Sequence, residues 1–249
     1  MTEIALAAGA TLVAVAFSMS TFDRWVARRR RHELAWALAL ALFAAGAFFL
    51  WLGASTGWTV PVFRAFYLFG AVVNVPVLAL GTVYLLAGRR AGDRSAVFVG
   101  AFAAFAAGVI VSAPAHPLTN ASALPQGSDV FEALPRVLAA VASGGGALVV
   151  LGGAVWSAWQ LRGAERLSHG RRMWANVVIA AGTLVLGASG LLNSVLGEME
   201  AFAVTLAIGV SILYAGFLLA VTPARRPAPL AVPAAAPSPP TLVESGPRS

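Results

Sequence analysis

The stretch Phe63 to Arg90, FRAFYLFGAVVNVPVLALGTVYLLAGRR, decides how the whole chain is read. From Ala65 to Gly88 it carries no charged residue, and it is bounded by Arg64 and Arg89. An apolar run of about 20 residues, coiled as a helix, matches the hydrocarbon thickness of a bilayer. The stretch is therefore read as a transmembrane helix over 65–87, with Asn74 and Pro76 near its midpoint.

Working outward, similar apolar spans lie at about 4–22 and 34–53 before it, and at 95–115, 136–161, 173–196 and 201–222 after it. Composition agrees: 59% of the 249 residues are hydrophobic and 11% charged, where a soluble domain is nearer half and a quarter. The expected fold is an all-α integral membrane protein, seven transmembrane helices in one bundle over 1–222. The tail 223–249 is rich in proline and alanine with no apolar period, so it is expected to be disordered. The first span has Glu3 before it and arginines after it, the reverse of a signal peptide, and is expected to be retained.

Charge gives the orientation. All seventeen basic residues are arginine. With the N-terminus outside and the C-terminus cytoplasmic, inner loops and tail hold groups of five, three, four and three arginines, and only Arg64 and Arg136 remain outside. Cytoplasmic loops carry the excess of basic residues in membrane proteins, so this orientation is expected, in a bacterial plasma membrane. The net charge of +7 is then a topology signal and not a nucleic-acid footprint. Arg28 to Arg31 and Arg162 to Arg172 would attract anionic lipid, and other membrane subunits are possible partners.

Several chemistries are excluded. Without cysteine there are no disulfides, thiolate metal sites or thiol nucleophiles. Without lysine no Schiff base forms, so a retinal-binding bundle is ruled out. No Asp, Glu, His or Arg lies deep in any expected span, which argues against proton pumps, voltage sensors and membrane haem. No cofactor is expected.

The polar residues that remain within the spans are mild. Pro76 frees a carbonyl near Val72, and Asn74 brings an amide to the same level. Thr183, Ser211 and Ser143 lie near the midplanes of their own spans. Together they read either as a small midplane ligand site or as helix packing, in which an asparagine bonds across helices and a proline kink is tolerated. Arg64 and Arg136 sit at outer mouths, Arg64 beside Tyr67. They pair with Glu132, Glu198 or Glu200, or else recognise an anionic ligand. His116, Glu198 and Glu200 form a weak candidate for a divalent cation, lacking any metal-ligand spacing. Asp129 and Glu132 have the spacing of a capping box for the fifth span.

Small residues at four-residue spacing (Gly100, Ala104, Gly108; Gly145 and Gly153 around Val149) are expected to pack helices within the bundle. Asn74-Val75 before Gly81-Thr82 resembles Asn176-Val177 before Gly182-Thr183. The spacings differ by one residue, so no inverted repeat is read.

The function expected is that of a plasma-membrane protein without catalytic machinery: a sensor, assembly partner or accessory subunit of a membrane complex. The alternative is a small-solute permease or channel with its site on the third span. An enzyme acting at the outer surface is the third and weakest reading.

Overall fold

Alanine and leucine, strong helix formers, fill the apolar runs, and in hydrocarbon a helix meets its own backbone hydrogen bonds. The computed structural model describes residues 2–118, 120, 123–161, 174, 177–179, 181–182, 185 and 199–221. Its helices are α1 (Thr2–Arg28), α2 (Arg31–Thr56), α3 (Val60–Phe66), a π-helical stretch Tyr67–Val73, α4 (Asn74–Leu86), α5 (Gly88–Ser112), the short α6 (Gly127–Val130), α7 (Ala133–Leu161) and α8 (Met199–Val221). α3, the π-helical stretch and α4 run on as one span, Val60–Leu86.

Among the described residues, five helices are long and apolar enough to cross a membrane: Ile4–Arg28, Arg31–Thr56, Val60–Leu86, Gly88–Ser112 and Ala133–Ser157. α8 adds a shorter apolar stretch, Val204–Gly216. Among the described residues there is no strand, only an isolated bridge between Ala115 and Phe131. The described chain is nearly all helical, with the length and apolarity that a membrane-spanning fold requires. Most of the expected sixth span, 173–196, and the tail 223–249 lie outside the described residues.

Helix ends depart from the apolar runs in an instructive way. α5 starts at Gly88, not near Ser95, so Arg89, Arg90, Asp93 and Arg94 ride on its first turns and not in a loop. Gly88, at φ 81°, makes the whole turn from α4, a conformation open to glycine. α1 likewise carries Arg24 and Arg28 past the expected end at Phe22. Hydropathy detects where lipid ends, but a helix continues into the head-group layer wherever nothing breaks it.

α1 packs on α2 and α8; α2 packs on the Val60–Leu86 span, which in turn packs on α5 and α7. Ile179 and Gly182 lie against α8 at Gly216 and Leu213. The Val60–Leu86 span is held at backbone distance from both sides. A Cβ on Gly46 of α2 would stand 2.9 Å from the Gly70 Cα, and one on Gly146 of α7 would stand 3.0 Å from the Val75 carbonyl carbon. Small residues permit such contact between membrane helices.

The expected stripes behave differently. Gly100, Ala104 and Gly108 lie on the exposed side of α5, not inside the described bundle. In α7, Gly146 and Gly153 make the contacts, Gly153 with Thr82 and Leu86, while Gly145 and Val149 are exposed. Four-residue spacing marks a helix face, but two faces of α7 carry glycine and spacing does not say which meets a neighbour.

Gly146→Ala should therefore lower the melting temperature of the purified protein in detergent, at a cost of about 1–3 kcal/mol for overpacking. Gly145→Ala, with no described atom within 4 Å of its Cβ, should leave the melt unchanged or raised.

Candidate functional site

Polar groups gather along the Val60–Leu86 span at its midpoint and at its two ends. At the midpoint, the backbone opens into a π-helix over Tyr67–Val73, where each carbonyl pairs five residues ahead. Pro76, just beyond this stretch, has no N–H to give to the turn before it. Ser143 of α7 donates to a carbonyl of that turn, its Oγ lying 2.5 Å from the Ala71 carbonyl oxygen. Pro76 and Ser143, distant in sequence, thus act on the same turn of the span. π-Bulges inside helices frequently mark functional sites.

Asn74 begins α4 immediately after the π-helical stretch and is 8% exposed. Its Oδ1 is buried and accepts no hydrogen bond from the described residues. An unpaired buried acceptor costs about 1–3 kcal/mol, so this amide is the strained polar group of the midplane. Ser211, on α8, is exposed and its hydroxyl donates to the Ala207 carbonyl at 2.7 Å. It does not join the Asn74 level through any described bond. Thr183 lies outside the described residues.

The Arg64 end of the span is capped. Arg64 donates through Nη1 to the Val111 carbonyl and through Nη2 to the Ala113 carbonyl, both at 2.6 Å. These are orphan carbonyls at the C-terminal end of α5, where a cation also suits the helix dipole. The described bonds of Arg64 are therefore to backbone, not to the expected Glu132, whose carboxylate stands 3.5 Å from His116 Nε2. Arg136 is exposed, within charge range of the Tyr67 hydroxyl.

Between them lies an aromatic cluster. Phe131 is buried, with its ring centroid 5.7 Å from Phe63 and 5.2 Å from Tyr67. Trp58 packs on Phe63 and Phe66, its Nε1 buried without a partner. The segment before α7 is held over this cluster by the bond from the His116 N–H to the Val130 carbonyl. Its capping box pairs Gln126 with Asp129 at the start of α6 and not Asp129 with Glu132, because α6 is a separate turn preceding α7.

His116 and Glu132 are the expected and an unexpected partner at this mouth. Glu198 is outside the described residues, and Glu200 is on α8 with its side chain undescribed. Among the described residues no three His, Asp or Glu side chains gather.

The other end holds groups that the sequence reading passed over. Asp93 accepts from Arg31, from the Tyr84 hydroxyl at 2.9 Å, and faces Arg89 Nε at 3.7 Å. It ties α2, α4 and α5 together. The signal available was an acid four residues after Arg89 within an arginine-rich segment. Glu33, at 5% exposure in the first turn of α2, lies 4.0 Å from Arg28 and keeps a buried Oε2 without a partner. An open groove of about 360 Å³ between α1 and α2, lined by Thr11, Ser18, Met19 and Phe48 among others, is almost wholly apolar.

Ser143→Ala should cost about 1 kcal/mol, the scale of an interhelical hydrogen bond. In a Pro76→Ala background, where residue 76 regains an N–H for the carbonyls of the preceding turn, the same change should cost less. Thermal melts of the four proteins measure this coupling; strictly additive losses would refute the pairing. Comparison of the chain with protein-family models, with curated proteins and with solved structures yields no match.

Proposed function

We propose that this chain is a seven-span protein of a bacterial plasma membrane, N-terminus outside and C-terminus cytoplasmic. It serves there as a non-catalytic sensor, assembly partner or accessory subunit of a membrane complex. The observation that carries this reading is the closure of the Val60–Leu86 span. Gly46 and Gly146 bring helix backbones into contact with it at Gly70 and Val75, on either side of Asn74 in sequence. Backbone contact at that level favours a scaffold over a solute path. The same span reaches both ends of the bundle, through Arg64 at one and Tyr84 at the other, which suits a part that transmits or organises.

Orientation is directly testable because the native chain has no cysteine. A membrane-impermeant maleimide should label Ser128→Cys in intact cells, and Ala87→Cys only after permeabilisation. Labelling in the opposite sense would reverse the topology. For the role itself, mild extraction from native membranes should yield a second membrane protein at fixed stoichiometry. A monodisperse, partnerless chain counts against it.

A second reading, a small-solute permease, is favoured by one observation: the unpaired, buried Oδ1 of Asn74 beside a π-helical turn. Unsatisfied oxygens at a broken helix are how transporters hold solutes and ions. Flux into liposomes that Asn74→Leu abolishes, with the melt preserved, would establish it; no flux for the native chain removes it.

A further inference from the structure

We propose that Arg30, Arg90 and Arg94 form a docking surface for anionic phospholipid head groups at the α1–α2 turn and the first turns of α5. This deepens the plasma-membrane reading above and depends on it only for which leaflet supplies the lipid.

The structure divides the arginines of this end into engaged and free. Arg24 donates to the Thr21 hydroxyl at 3.0 Å, Arg28 faces Glu33, and Arg29 lies 5.0 Å from the centroid of the Trp25 ring. Arg31 and Arg89 are spent on Asp93. Arg30, Arg90 and Arg94 are exposed and, among the described residues, have no acidic or hydrogen-bonding partner. Arg31 contacts Asp93. That contact brings the α1–α2 turn against the start of α5, so three free cations from two segments flank the Asp93 hub.

Their surroundings select lipid. Arg94 is followed on α5 by Val97 and Phe98, 74% and 73% exposed. Arg30 stands between Val26 of α1 and Leu34 of α2, both exposed apolar residues. Cations bordering a lipid-facing apolar surface lie at head-group depth, where each arginine strengthens binding to anionic lipid about fivefold, equivalent to about 1 kcal/mol. Among the described residues of this end, Asp23 is the exposed carboxylate outside any ion pair. It leaves the local balance positive.

The test uses the full chain in neutral detergent, titrated with short-chain phosphatidylglycerol or phosphatidylcholine. Phosphatidylglycerol should bind and raise the melting temperature, an effect that fades with salt, while phosphatidylcholine should not. The variant R30Q/R90Q/R94Q should lose roughly a hundredfold in phosphatidylglycerol affinity, with an unchanged melt in phosphatidylcholine showing that the fold persists. Arg31→Gln should lower the melt yet change affinity less than fivefold. Undiminished affinity in the triple variant, equal binding of both lipids, or the same stabilisation by inorganic phosphate would each overturn the proposal. Reversed maleimide labelling alongside intact phosphatidylglycerol binding would fault the topology and leave this surface standing.

Discussion

A single hydrogen bond, from the Ser143 hydroxyl to the Ala71 carbonyl, ties α7 to the turn that precedes Pro76 in the middle of the protein. Hydrocarbon offers no water to a stranded carbonyl, and each unsatisfied group there costs several kcal/mol. At this irregular turn of the Val60–Leu86 span, α7 approaches closely enough to donate. Gly146, one turn beyond Ser143, permits that approach. The hydroxyl and the glycine are one device: the first provides the bond, the second the distance.

The same span then fixes the ends of the bundle by different chemistry. At one end Arg64 caps α5 through two backbone carbonyls, beneath an aromatic cluster that includes Phe63, Tyr67 and Phe131. At the other, the Tyr84 hydroxyl joins Arg31 and Arg89 on Asp93. Apolar burial contributes little between helices when lipid surrounds them. Backbone contact, a few satisfied polar groups and charge networks outside the hydrocarbon therefore take the larger share of holding these helices in register.

Against this economy, two buried side-chain oxygens have no partner among the described residues: Oδ1 of Asn74 at the midpoint and Oε2 of Glu33 near the arginine-rich end. Both lie where one helix begins, Asn74 after the π-helical turn and Glu33 in the first turn of α2. With the Trp58 Nε1, they are among the groups at which the described fold departs from the rule of satisfying what it buries.

Hydropathy alone marked out runs long and apolar enough to cross a membrane and roughly where the helices lie, because a span must be long and apolar whatever it packs against. The sequence also marked Asn74 and Pro76 as unusual by their depth in a span, and Arg64 by its place among the arginines. Only the tertiary structure decided what they do. That Arg64 would cap α5 required the end of α5 to arrive beside it, and that Ser143 would meet the turn before Pro76 required α7 at backbone distance. Asp93 was invisible as a hub because Arg31, from another segment, meets it only in the folded bundle. The glycines show the limit most plainly: four-residue spacing names a face, but whether lipid or a neighbouring helix covers it depends on how neighbouring helices are placed, and no local pattern encodes that.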